Sequence, residues 1–242
     1  MNIILTWNIR HGGGARVSKI IETLKGHTDA TTIILTEFRN NDNAKVIQEA
    51  LHELGFIYQF KAQTEVNKNS VLIVSKENFK YKLFPELTNH SERVVKVYND
   101  NYSIYGCYFP GMDDKKYVFD FLLNEIKENP NEKIIITGDI NTGKHYIDEQ
   151  GATFAHSAYI NRIEESNLFD AWRYIHNDKK DFSWYSSAGN GFRLDHFFVH
   201  NDLKPNVVSC EYIHQYREDK ITDHSMMVLT LNDTTHKQQS AD

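Results

Sequence analysis

Apolar residues in this chain fall into short runs, and several of the intervening stretches carry the three-to-four-residue spacing of amphipathic helices. The runs predict strands over Asn2–Thr6, Thr31–Thr36, Ser70–Val74, Arg93–Val97, Tyr102–Tyr108, Lys133–Thr137, Leu194–Val199, Val207–Tyr212 and Met226–Leu231. Helical spacing predicts helices over Arg16–Lys25, Asn43–Leu54, Lys115–Glu128 and His156–Glu165. Strand and helix alternate in the first half, whereas the second half is richer in strands. The pattern therefore predicts an α/β fold of mixed sheets with helices outside, not a purely parallel doubly wound sheet. Past Leu231 the periodicity fades, and 232–242 reads as a polar, flexible tail.

Polar residues interrupt this pattern at particular places. Asn8 follows Leu5-Thr6-Trp7, Glu37 follows Ile34-Leu35-Thr36, and Asp139 and Asn141 follow the run ending in Thr137-Gly138. Strand ends are where open α/β folds assemble ligand sites. Asp195 is different, because it stands inside the apolar run from Phe192 to Val199. A carboxylate buried on a core strand is costly unless paired or hydrogen-bonded, and Thr222-Asp223-His224-Ser225 supplies an imidazole just before the last strand. Asp195 and His224 are read as a coupled pair.

Composition narrows the picture. With 40% hydrophobic and 12% aromatic residues over 242 positions, and no linker-like or low-complexity tract, the chain predicts one domain over 1–231. The N-terminus lacks a basic leader followed by an apolar stretch, and no window approaches the roughly 20 apolar residues needed to span a bilayer. A cytoplasmic monomer without membrane association is expected. Cys107 and Cys210 both fall in predicted strands and read as core residues. A net charge of -6 argues against a general polyanion-coating protein, although a cluster of acidic ligands would account for much of it.

Taken in order, Trp7-Asn8, Thr36-Glu37, Tyr108-Phe109-Pro110, Gly138-Asp139-Ile140-Asn141, Arg193-Leu194-Asp195 and Asp223-His224 resemble the signature blocks of the endonuclease/exonuclease/phosphatase superfamily. The resemblance spans residues 2 to about 231 and implies a four-layer sandwich, two packed mixed β-sheets flanked by helices, with the active site at one edge. The C-terminal third is most similar to the exonuclease III and apurinic/apyrimidinic endonuclease branch, through Leu168-Phe169-Asp170-Ala171-Trp172-Arg173, Phe182-Ser183-Trp184-Tyr185 and Gly191-Phe192-Arg193-Leu194-Asp195. By that resemblance Trp184, Phe192 and Leu194 line a pocket for an extruded abasic sugar. The turn Ile9-Arg10-His11-Gly12-Gly13-Gly14 departs from the branch, whose repair enzymes carry an Asn-Gly-Leu-Arg type turn there. It also lacks the Lys-Ser/Thr ending of a P-loop, so it reads as a flexible turn.

These residue types suit phosphodiester hydrolysis, which needs positive charge on the phosphate and a base near the attacking water. The carboxylate of Glu37 and the neutral oxygen of Asn8 suit Mg²⁺, with Mn²⁺ as an alternative, and Asp223 completes that set or helps hold a second ion. Asp139 would activate the water, with Asn141 fixing the water or a phosphate oxygen. His224, kept cationic by Asp195, would donate to the phosphate, and Tyr108 would place its hydroxyl nearby. Arg193 holds either a backbone phosphate or a neighbouring carboxylate. His11, His145, His156 and His196 show no metal-ligand spacing.

The expected activity is metal-dependent cleavage of DNA, at abasic sites or 3'-end lesions in a duplex. The alternatives are a same-fold hydrolase of non-specific nucleic acid, RNA or a small phosphoester, and a catalytically silent binding module. A serine hydrolase is disfavoured because no Gly-x-Ser-x-Gly elbow is present.

Overall fold

The apolar runs become strands that are covered on both faces, which is why they read as nearly continuous rather than alternating. The computed structural model describes residues 1–233, so residues 234–242 of the expected tail lie outside the described residues. In chain order the strands are β1 (Asn2–Asn8), β2 (Thr32–Arg39), β3 (Tyr58–Lys61), β4 (Asn69–Ser75), β5 (Lys80–Leu83), β6 (Val94–Tyr98) and β7 (Ser103–Tyr108). They continue with β8 (Ile134–Asp139), β9 (Leu168–Asp170), β10 (Trp184–Tyr185), β11 (Gly191–Phe192), β12 (Asp195–His200), β13 (Val207–Ile213) and β14 (Met226–Leu231). The helices are α1 (Val17–Lys25), α2 (Asp42–Glu53), α3 (Lys115–Glu128), α4 (Ala158–Glu165), α5 (Ala171–His176) and α6 (Gln215–Glu218).

Two six-stranded mixed sheets result, in the orders β13-β14-β1-β2-β4-β3 and β5-β6-β7-β8-β12-β9, with β10-β11 as a separate ribbon. The two-residue period of each strand assigns its side chains to layers. Ile4 and Ile34 on the first sheet face Ile104 and Ile135 on the second in a shared core. Leu5, Trp7, Ile33 and Leu35 point the other way, into a cluster with Ile20 and Leu24 of α1 and Ile47 and Leu51 of α2. Tyr105, Cys107, Ile134 and Ile136 do the same on the second sheet, against Val118 and Phe119 of α3 and Ile160 and Ile163 of α4. The four layers expected from the sequence are thus present. Because both faces of each sheet are apolar, polarity alone does not set how the sheets meet, and shape does. Gly106 lies where a Cβ would come within 2.9 Å of Ile73 and 3.0 Å of Ile34 on the opposite sheet.

Strand directions bring the polar strand ends together. β1 runs parallel to β2, and β7 parallel to β8. β12 and β14 run antiparallel to β8 and β1, so the segments that begin them arrive at that same edge.

All nine predicted strands and four predicted helices occur, with shifted ends. The strand expected to end at Thr137 continues to Asp139, and the one expected from Leu194 begins at Asp195. β3, β5, β9, the β10-β11 ribbon, α5 and α6 were not anticipated. Among the described residues no helix is long and apolar enough to cross a membrane.

Candidate active site

Register places Tyr108 of β7 opposite Asp139 of β8, and Asp139 opposite Asp195 of β12, so three polar residues stand side by side at the edge of the second sheet. The approach depends on Gly138, at φ 131°, where a Cβ would lie 1.9 Å from the Cys107 carbonyl oxygen. Asp139 is buried; its Oδ1 accepts from the Asn141 backbone N–H (3.0 Å) and its Oδ2 from the Asn8 side-chain amide (2.9 Å). Burial pushes its pKa up, the His224 imidazole opposes the rise, and Asp195 and Glu37 reinforce it, bringing it to about 7.

His224 reaches this row from the segment before β14. Its backbone is fixed locally: the Thr222 hydroxyl accepts its N–H (3.1 Å), and its carbonyl accepts from that hydroxyl (2.9 Å) and from Trp7 Nε1 (3.2 Å). The imidazole Nδ1 lies 2.8 Å from Asp195 Oδ2 and Nε2 lies 3.9 Å from Asp139 Oδ2. Burial would depress its pKa, but the charges of Asp195 and Asp139 and the hydrogen bond to Asp195 outweigh that and raise it to about 10. Asp139, Asp195 and His224 bring atoms of metal-ligand type within 4.8 Å of one another. A protonated imidazole has no lone pair for an ion, so an ion would bind this trio only by displacing that proton.

The first sheet contributes Asn8 and Glu37. A register shift between Thr36 and Phe38 bulges β2, and Glu37 there takes φ 53°, a conformation that non-glycine residues rarely adopt. Its Oε1 accepts from Asn8 Nδ2 (3.1 Å) and its Oε2 from the His11 backbone N–H (2.9 Å). Asn8, expected as a neutral-oxygen ligand, is tied into this network. Its oxygen accepts the Arg10 backbone N–H (2.8 Å), while its amide nitrogen bridges Glu37 and Asp139. Asp223 presents Oδ2 to Arg10 Nε at 3.5 Å, and its Oδ1 finds no hydrogen-bond partner among the described residues.

Sequence spacing missed His11, whose Nδ1 lies 2.7 Å from Glu37 Oε2 and 2.8 Å from the Arg39 guanidinium. Positive φ at every position from Arg10 to Gly14 folds the turn back onto Glu37, and no periodicity announces such a turn. It also missed Lys115, the first residue of α3. Lys115 is buried and donates through Nζ to the Asn141 carbonyl.

The Tyr108 hydroxyl accepts from Asn69 Nδ2 (3.2 Å), and the Arg93 guanidinium lies 4.9 Å from its ring centre. Burial, then the carboxylates of Glu37 and Asp139, push its pKa up to about 12, so it remains a donor. Asn141 has φ 54° and gives its side-chain amide to the Phe109 carbonyl (2.8 Å).

Trp184 and Phe192 pair across the β10-β11 ribbon, their ring centres 5.7 Å apart, and the Trp184 ring lies 6.4 Å from that of His224. Both are partly exposed, whereas Leu194 is 7% exposed and offers little surface to a substrate. Arg193 is 0% exposed, and the expectation that it binds substrate is corrected. Its guanidinium donates to Asp148 Oδ1 (2.7 Å) and Asp170 Oδ2 (2.5 Å), the neighbouring-carboxylate alternative. Burial works against ionised acids there, yet Arg193 holds both carboxyls below their usual range.

Comparison with known proteins gives consistent matches. A family model described as Endonuclease/Exonuclease/phosphatase family matches residues 5–224. A DNA-(apurinic or apyrimidinic site) endonuclease from Arabidopsis thaliana is 27% identical over 40% of this chain and 34% of its own length, so the match spans about a third of that relative. A 3' phosphatase, NExo, from Neisseria, bound to product DNA hairpin, superposes with a TM-score of 0.80 at 17% identity, covering 96% of this chain and 100% of that one. An AP endonuclease from Archaeoglobus fulgidus superposes with a TM-score of 0.79 at 19% identity, with the same coverage. These structural likenesses establish the fold.

Proposed function

The chain belongs to the Endonuclease/Exonuclease/phosphatase family, and from that premise we propose that it is a divalent-metal-dependent phosphodiesterase acting on DNA, as an abasic-site endonuclease, a 3'-5' exonuclease or both. The observation that carries the reading is the buried Asp139, its pKa near 7, set 3.9 Å from an imidazole that two carboxylates keep protonated. A base that ionises near neutral pH beside a fixed cation is what water attack on a phosphodiester needs. We assign the activity to a catalytic domain over 1–231.

Glu37 and Asp223 would hold the ion, Mg²⁺ or Mn²⁺. Hard carboxylate oxygens suit such ions, and the Asp223 oxygen without a hydrogen-bond partner leaves a donor position open. When bound, the ion supplies positive charge against the phosphate oxygens. Asp139 takes the proton of the attacking water, held in place by the Asn8 amide and the Asn141 backbone N–H. His224 donates Nε2–H to a non-bridging phosphate oxygen while Asp195 fixes its orientation. Tyr108 donates its hydroxyl to the phosphate. Trp184 and Phe192 offer an apolar wall for an extruded sugar, which must replace lost base stacking with other contacts.

DNA is favoured as substrate by the names of the Arabidopsis relative and the DNA-bound Neisseria neighbour. The test is incubation with Mg²⁺ and a duplex carrying a tetrahydrofuran abasic analogue, beside plain DNA, RNA and a phospholipid. Incision at the analogue is expected, with Asp139→Asn and His224→Ala each lowering kcat by about 10²–10⁴. Cleavage of RNA or a phospholipid without incision of the analogue would overturn the repair reading. The second reading, a same-fold hydrolase of another phosphoester, draws on the Arg10–Gly14 turn, which sets His11 against Glu37.

A further inference from the structure

A cavity of about 540 Å³ lies beside the candidate site and shares Arg10 and Asp223 with it. Its other walls are Tyr185, Arg217, Glu218, Lys220 and Thr222. Three of its residues are basic and two acidic, in a chain of net charge -6. Arg10 is engaged with Asp223 (3.5 Å) and Arg217 lies 4.0 Å from Glu218, while Lys220, exposed at φ 56°, enters no ion pair with the described residues.

Tyr185 gives this cavity a flat apolar surface. The Arg217 guanidinium lies 4.5 Å from its ring centre and is itself anchored by donating to the Phe182 carbonyl (3.0 Å). Phe182 meets the same ring edge-on, at 6.0 Å and 83°. The ring is held from these sides yet remains 46% exposed. Strand alternation places it on the opposite face of β10 from Trp184, whose ring stands beside the catalytic imidazole. What joins the cavity to the site is its wall: Thr222 and Asp223 directly precede His224, so a strand whose scissile phosphate lies at His224 passes this cavity with a neighbouring unit.

We propose that this cavity holds one nucleotide of the substrate strand next to the scissile phosphate, its base stacked on Tyr185 and its phosphate against Lys220 and Arg10. The assignment rests on the phosphodiesterase reading above and names the substrate unit that reading leaves open. The depression is open to solvent and large enough to take one nucleotide unit. Stacking needs a free base face, so the nucleotide is one that has left the helical stack, at a frayed end or beside the extruded sugar. It is also tolerant of sequence, because every base has a π-face, so the cavity senses a nucleotide rather than its identity.

Calorimetric titration of the metal-free protein with thymidine 5'-monophosphate, thymidine and inorganic phosphate tests the site directly. The monophosphate is expected to bind more tightly than either fragment. Tyr185→Ala should weaken it about tenfold or more and Tyr185→Phe should retain most of it. Lys220→Ala should weaken monophosphate binding while leaving that of thymidine unchanged. In turnover, the ratio of kcat/KM for a tetranucleotide to that for a small aryl phosphodiester should fall about tenfold in Tyr185→Ala, with circular dichroism melts checking that each variant folds. Equal nucleotide affinity in wild type and folded Tyr185→Ala overturns the proposal, as does an unmoved ratio. Nucleotide binding that depends on Tyr185, in a protein that cleaves no phosphodiester, would instead sink the activity and keep the cavity.

Discussion

Asp139 and His224 face each other across 3.9 Å with pKa values near 7 and 10, and that separation defines a window of pH in which one is an anion and the other a cation. The profile of kcat/KM is therefore expected to rise through about pH 7 as Asp139 ionises and to fall through about pH 10 as His224 loses its proton. A flat profile between pH 6 and 8, in about the range where Asp139 titrates, would remove it as the base. Stability follows the same groups. Asp139 has a folded pKa above its ordinary 3.8, so its favourable contribution is complete below that value and is lost as pH rises through about 7. Asp139→Asn should accordingly gain in melting temperature relative to wild type between about pH 5 and 9, and parallel pH dependences would contradict this. The Asp195–His224 pair was legible in the sequence because an acid inside an apolar run demands a partner. Arg193 was not, because its partner Asp148 lies 45 residues away in a loop without periodicity.

Elements were legible where both faces are buried. β1, β2, β4, β7, β8 and β12 carry long apolar runs, whereas β5, Lys80-Tyr81-Lys82-Leu83, is an edge strand whose pairing with β6 is set by tertiary contact. The same dependence on neighbours governs the connections that hold the site. Gly138→Ala would put a methyl 1.9 Å from a backbone oxygen of β7, so β7 and β8 could not keep their register. Loss of soluble folded protein, seen by circular dichroism, is expected from that single carbon. Arg193 ties the loop containing Asp148 to Asp170 at the end of β9. Arg193→Ala leaves two carboxylates buried without their cation and should cost about 3–5 kcal/mol in urea unfolding, since breaking one side of a buried pair strands the other. An unchanged urea midpoint with a raised KM would return Arg193 to the substrate.

At the scale of the molecule, the site is a product of sheet packing. The first sheet brings Asn8 and Glu37 and leads in Asp223 and His224, while the second brings Tyr108, Asp139 and Asp195. Folding thus gathers four acids at one edge of a protein already at -6, and His224 and Arg10 answer only part of that charge. A divalent ion held by Glu37 and Asp223 would relieve the remainder in the folded state alone. An ion at a hundred times its Kd adds about 2.7 kcal/mol by mass action, worth roughly 5–10 °C for a chain of this size. Melting in Mg²⁺ should exceed melting in EDTA by that margin. NaCl at matched ionic strength should not reproduce the rise, because screening acts on all exposed charges and not on one pair of ligands. In Glu37→Gln the Mg²⁺ effect should vanish while the EDTA curve stays near that of wild type. A wild-type melting temperature that is the same in Mg²⁺ and EDTA would mean that the acids at this edge hold no ion.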